Sequence, residues 1–329
     1  MRNTNISNIF ALQFWGIFLV VLGHSLPYKE MPVFFQVLFR WIYAFHMPLF
    51  FCISGYLYKY NLPKYRIDGS WKFLKKKIRR LIVPFLFLNI LAFPVKLVLE
   101  SFTYRNMGNN LMDNLISFLY LDKIPIGNLW FIMVLFHIFI IFFFLIPKDA
   151  IEKHLMLIPI FLLLNYIFSS LPVKYAIYNL LGGGTAISNL LYFYLGAFIF
   201  DSKCKLGIGF KVFLSILGYL LILGYVSYFA TDTYLTPFIS IIGIMSSFGL
   251  ASCVNISRTV FAVIARYSYQ IYLLSWFPQV FIRIVLSDKP MVSLPYFIIV
   301  VISCLFGIII PVWIAKMIQR TKLKILIGM

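Results

Sequence analysis

Long uncharged apolar stretches recur from one end of this chain to the other, and they constrain its fold more than any other feature. They run Asn3 to Tyr28, Trp41 to Tyr58, Leu81 to Val95, Ile124 to Pro147, Leu155 to Val173, Tyr175 to Phe200, Val212 to Thr231, Thr233 to Ser257 and Pro290 to Ala315. A tenth, Val260 to Ile282, is interrupted only by Arg266. Most exceed the roughly 17 to 25 residues that cross a bilayer core, and Leu81 to Val95 reaches that length by running on to Leu99 with Lys96 extended toward the interface. With 62% hydrophobic and 12% charged residues in 329 positions, a water-soluble fold has too little polar surface to cover its apolar groups. The sequence predicts an all-α, polytopic transmembrane helix bundle of about ten spans, one integral membrane domain over residues 1–329.

The net charge of +19 is distributed as a membrane topology signal. Between the second and third spans lie Lys59, Lys64, Arg66, Lys72, Lys75, Lys76, Lys77, Arg79 and Arg80, and Lys316, Arg320, Lys322 and Lys324 follow the last. Placing both groups in the cytoplasm puts 21 of the 29 Lys and Arg inside and 8 outside, with both termini cytoplasmic for an even number of spans. That topology accounts for the charge, and no nucleic-acid reading module accompanies it, so a nucleic-acid partner is not expected. The first stretch lacks a small-residue cleavage site and reads as a span, not as a secretory signal. Cys52, Cys204, Cys253 and Cys304 are scattered, with neither a disulfide framework nor metal-ligand spacing, and no metal is predicted. Leu115 to Leu121 reads as a short interfacial or re-entrant segment, and Gly182-Gly183-Gly184 breaks the helical pattern so that the sixth span begins near Ser188.

All ten carboxylates fall in loops or at span ends, which argues against the buried carboxylate relay of an ion-driven pump. His24 is placed differently. Helical rise puts it roughly 24 Å beyond Asn8, in the outer half of the first span, where an imidazole can take a proton from a hydroxyl near neutral pH. Ser25 orients it or caps the helix; the plainer alternative is an interfacial histidine beside Pro27, Tyr28 and Lys29. In the second span, His46 lies near the outer end, Pro48 is expected to free a backbone carbonyl, and Ser54 with Gly55 makes a small polar patch for a neighbouring helix or narrow ligand. A kinked packing helix is the alternative there. His137, inside the fourth span, is expected to bond to a neighbouring helix.

Four segments, taken in order, resemble acyltransferase family 3, membrane proteins that O-acylate surface or secreted glycans. They are Gly16 to Ser25 (GIFLVVLGHS), Phe45 to Leu57 (FHMPLFFCISGYL), Gly127 to Phe131 (GNLWF) and Ser268 to Leu274 (SYQIYLL). The resemblance implies that His24 is the catalytic residue, a general base for transfer of an acetyl group from cytoplasmic acetyl-coenzyme A to a hydroxyl of a surface glycan or lipid-linked sugar. It further implies that Gln13, Ser25, His46, Ser54 and Trp130 line or orient the pocket, and that Arg79 and Arg80 hold the donor's phosphates. Either an extended pantetheine arm then threads the bundle, the favoured route, or the acyl group is relayed across it, in a multi-pass protein of a bacterial inner or plasma membrane surrounded by lipid. Two positions depart from the family pattern: Gln13 stands where a basic residue is common, eleven positions before His24, and Ser275 stands where a histidine follows the late IYL segment. Two other classes fit the helices, a glycan or lipid-linked sugar flippase that consumes no acyl donor, and a non-catalytic sensor or scaffold.

Overall fold

The computed structural model describes residues 2–26, 31–98, 111–122, 124–146, 157–171, 177–201, 206–229, 235–286 and 293–329, and every regular element among them is helical. In chain order the α-helices are α1 (Arg2–Ser25), α2 (Val33–Tyr43), α3 (His46–Lys77), α4 (Val83–Val98), α5 (Leu111–Leu119), α6 (Trp130–Ile140), α7 (Leu157–Ser170), α8 (Gly183–Ser188), α9 (Leu190–Asp201), α10 (Ile208–Tyr228), α11 (Thr236–Ala251), α12 (Val260–Arg266), α13 (Ser268–Leu274), α14 (Trp276–Leu286) and α15 (Ser293–Ile318). Asn8–Ser25, Val33–Val98, Gly127–Leu145, Ile208–Tyr228 and Tyr296–Ile318 are long and apolar enough to cross a membrane, and Leu157–Ser170, Thr236–Ala251 and Trp276–Val285 are shorter apolar helices. The protein is a multi-pass, all-helical membrane protein.

Three details depart from the sequence reading. Pro48 does not kink the second span. The chain turns at Ala44 and Phe45, α3 starts at His46, and Pro48 falls in the first turn, where a missing N–H removes no intrahelical bond. The kink lies instead at Gly69, whose φ of 76° and ψ of 167° leave the helical region. The basic connector after Tyr58 is helical on either side of that kink, and it passes into a π-helical turn, Ile78–Ile82, carrying Arg79 and Arg80. As expected, the Gly182 region is irregular: Ile177–Gly182 is a 3₁₀ turn, Gly182 is left-handed at φ 80°, and the long helix resumes at Leu190 after a break at Asn189. Leu115 to Leu121, expected to be a short interfacial or re-entrant segment, overlaps the helix α5.

The chain divides into two compact units. The first comprises Met1–Ile53 and Asp201–Lys316. Here α1 packs against α2 and α11 to α14, and α10 lies along α11. Small residues bring α10 and α11 together: a Cβ on Gly218 would overlap Ser246 Oγ, and one on Gly249 would overlap Ser215 Oγ. Tyr219 ties four helices to one point. Trp15 Nε1 donates to its hydroxyl at 3.0 Å, that hydroxyl shares a hydrogen bond with Ser247 Oγ at 2.9 Å, and Trp41 Nε1 donates to its carbonyl at 3.2 Å. With no water in the bilayer core to bond buried indole and phenol groups, each of these donors needs a protein partner.

The second unit comprises Ser54–Phe200 and Met317–Met329. In it α3 lies directly on the backbone of α9, since a Cβ on Gly55 would overlap the Phe193 carbonyl. Asparagines close the irregular stretches. Asn89 Oδ1 accepts from Ile126 N at 3.1 Å, Asn179 Oδ1 accepts from Thr185 N and Oγ1, both at 3.0 Å, and Asn165 Nδ2 donates to Ser188 O at 2.6 Å. A carboxamide serves there because its donor and acceptor satisfy non-helical backbone without introducing a charge.

Candidate active site

In the first unit the last turn of α1 carries His24. The His24 ring meets Tyr43 edge-on at 6.2 Å between centroids, and Tyr43 meets the His46 ring at 4.6 Å. The two histidines expected on one side of the chain are thus joined through one tyrosine. Gly23 makes room for it, because a Cβ there would stand 3.2 Å from Tyr43 Cε2 and 3.3 Å from Ile42 Cγ2. Buried His46 bonds through Nδ1 to Ile42 O at 2.9 Å. A carbonyl only accepts, so Nδ1 carries the hydrogen and the neutral ring keeps Nε2 as an acceptor. His24, half-buried, makes no ring hydrogen bond among the described residues.

Ser25 does not orient the imidazole. Its hydroxyl donates to Val21 O at 2.8 Å and accepts from Gln279 Nε2 at 3.0 Å, and the same Nε2 reaches Val21 O at 2.9 Å. Arg283 Nη2 donates to His24 O at 3.0 Å. The end of α1 is therefore closed by two side chains of α14. Gln13 lies on the His24 face of α1, about three turns and 16 Å earlier, so it does not meet the imidazole directly.

Ser54, Trp130, Arg79 and Arg80 belong to the second unit. Half-buried Ser54 adjoins the Gly55 contact, and Trp130, the first residue of α6, meets the Phe131 ring at 6.4 Å. Arg79 and Arg80 are exposed on the π-helical turn. A 3₁₀ segment, Lys322–Ile327, packs against that turn and against α4; it is capped by Thr321 Oγ1, which accepts from Leu323 N at 3.2 Å, and anchored by buried Ile327. Exposed Lys322 and Lys324 extend the basic surface. Such a surface suits a polyanionic group such as the phosphates of a nucleotide.

Lys77, read from sequence only as a topological charge, is buried. Its Nζ lies 3.2 Å from the Phe139 ring centroid, 5.0 Å from Tyr65 and 5.3 Å from Phe73, and it donates to Tyr65 Oη at 3.4 Å. Aromatic faces supply the negative potential that a carboxylate would otherwise provide. His137 bonds within its own helix, Nδ1 to Met133 O at 2.8 Å, in place of the interhelical partner expected for it.

Sequence reasoning missed Tyr43, Gln279, Arg283 and the burial of Lys77. One signal was available for two of them: Ser275, Gln279 and Arg283 recur every four residues through an apolar helix, a polar stripe at helical spacing. A family model described as an acyltransferase domain matches residues 6–316. No curated protein and no solved structure matches the chain.

Proposed function

The chain belongs to acyltransferase family 3 and is a membrane-bound O-acyltransferase, and from that premise we propose that it moves an acetyl group from acetyl-coenzyme A to a hydroxyl of a surface glycan or lipid-linked sugar. His24 is the general base. It takes the proton of the acceptor hydroxyl as that oxygen attacks the thioester carbonyl; the new C–O ester bond forms, the C–S bond breaks, and the thiolate leaves and recovers the proton from the imidazolium. The observation that carries this reading is the His24 ring itself, free of hydrogen bonds to the described residues while the helix end beneath it is bonded on two sides. A proton acceptor needs that combination of an available nitrogen and a fixed frame.

Arg79 and Arg80 hold the phosphates of the donor from the cytoplasmic side, with the Lys322–Ile327 segment adding charge to the same surface. Ten spans with both termini cytoplasmic, the arrangement that the charge asymmetry favours, put those residues on the side where the donor is made. His46, Tyr43 and Ser25 shape the surroundings of His24.

The test is mass spectrometry of surface glycans from cells with and without the protein, with His24→Ala as the third sample. Loss of an acetyl substituent in both altered samples supports the proposal. Unchanged substitution with altered glycan export points to a flippase, and acetylation retained by inserted His24→Ala removes His24 as the base. The expected loss in that variant is about a hundredfold to ten-thousandfold in rate.

A further inference from the structure

The last carbonyls of a helix have no intrahelical donor. At the end of α1 one of them, His24 O, is bonded by Arg283, and Gln279 of the same neighbouring helix adds a bond to Val21 O one turn earlier, both at a separation of more than 250 residues. Gln279 is 3% exposed, and the backbone of α15 closes over it, since a Cβ on Gly307 would stand 3.2 Å from Gln279 Nε2 and 2.9 Å from Val21 Cγ1. A bond from Gln279 to both Val21 O and Ser25 Oγ restrains rotation of the turn, and the Arg283 bond restrains its end. The Gln279 bond is not a cap, because Val21 O lies inside the helix and Ser25 Oγ already reaches it from its own chain. Arg283 also lies close enough for its charge to act on the His24 imidazole.

We propose that Gln279 and Arg283 are the positioning residues of His24: by bonding the last turn of α1 from α14 they set the direction in which the imidazole meets the acceptor hydroxyl. This rests on the reading of His24 as general base.

The test uses the full chain reconstituted in lipid nanodiscs, with variants Arg283→Met, Arg283→Lys and Gln279→Leu. The first readout needs no turnover: carbethoxylation of His24 by diethyl pyrocarbonate relative to His137, read by mass spectrometry. The second is release of free coenzyme A from acetyl-coenzyme A in the presence of a glycan extract of the parent cells, whose hydroxyls take the acetyl group. Arg283→Met and Gln279→Leu are expected to change the His24:His137 labelling ratio severalfold and to lower kcat by about a hundredfold at unchanged KM, the scale of a misplaced base. Arg283→Lys, which keeps a cationic donor for His24 O, is expected to restore both. If Arg283→Met fails to fold, Gln279→Leu carries the same expectation. An unchanged labelling ratio in the two disruptive variants overturns the proposal, as does a parallel loss in kcat, KM and thermal midpoint without rescue by lysine, which marks a helix cap only. Turnover retained in His24→Ala defeats the general-base reading instead, and the labelling ratio still decides whether Gln279 and Arg283 hold His24.

Discussion

His24 and Lys77, one in each unit, are held by different physics. The turn beneath His24 is held by hydrogen bonds, from Gln279 and Arg283 to Val21, Ser25 and His24. Lys77 is held by the faces of Phe139, Tyr65 and Phe73, with one long hydrogen bond to a phenol. A hydrogen bond restricts direction, because it weakens steeply as the donor bends away from the acceptor. A ring face attracts a cation over a broad area and leaves its orientation loose. Under the proposed role of His24, proton transfer needs a direction, whereas a buried charge needs only a place.

Substitutions at contact points separate these two modes. The largest effect on folding is expected at Gly55, where α3 touches the Phe193 carbonyl directly. Gly55→Val forces the helices apart and is expected to cost about 3 kcal/mol or more, read as loss of folded protein in size-exclusion chromatography and of thermal midpoint. A normal midpoint breaks the view that the second unit depends on close backbone packing there. Next is Lys77→Met, which keeps an apolar stem among the three rings and removes the buried charge. Stability is expected to stay within about 1.5 kcal/mol of the parent, since well-packed apolar replacement of a buried ion is tolerated. A much larger loss means that the ammonium makes a directional bond after all.

In the first unit, the buried Ser275 hydroxyl has no hydrogen-bond partner among the described residues, one turn before Gln279 on the same stripe. Ser275→Ala is expected to leave the thermal midpoint unchanged or raise it, by up to about 1 kcal/mol, because it removes a desolvated polar group. A lowered midpoint shows that this hydroxyl bonds to something, and extends the directional network of α14 by one turn. The smallest effect belongs to the basic part of α3, where Lys72 Nζ lies 2.8 Å from Asp68 Oδ1 across the Gly69 kink. The Lys72 ammonium, hydrogen-bonded to it, holds the Asp68 carboxyl below its ordinary value. A depressed carboxylate stabilises the fold above its unfolded value near 4, and the contribution disappears as pH falls through the lower folded value. Asp68→Asn is therefore expected to lower the midpoint slightly at pH 7 and not at all under strongly acidic conditions, and a difference that grows on acidification reverses that sign.

Much of the fold was legible because lipid imposes a simple rule on sequence: an apolar run of sufficient length, flanked by charge, has few structures open to it. The irregular turn at Gly182 and the helix near Leu115 followed from local composition. The misplaced kink at Pro48 had a local cause as well, since the effect of proline depends on where the helix starts, and the turn at Ala44 and Phe45 carries no strong breaker residue. The site was legible in part. His24 and His46 stood out as ionisable groups in apolar helices, and the structure joins them through Tyr43. Ser25 was read as orienting the imidazole or capping the helix; its hydroxyl bonds back to Val21 O and accepts from Gln279.

The sequence by itself determined that this is a multi-pass membrane chain, that it carries the motifs of an acyltransferase, and that its charge favours one orientation, because each of these depends on composition along the chain. Which polar side chains meet was decided only by tertiary structure. The stripe of Ser275, Gln279 and Arg283 has a defined face, but helical periodicity does not say which of several apolar neighbours that face meets. Close packing of α14 against α1, with Gly307 of α15 pressed onto Gln279, set that rotation and brought Arg283 to His24. In a bilayer the apolar faces of a helix are nearly equivalent to lipid, so small residues and hydrogen bonds between helices select the one arrangement.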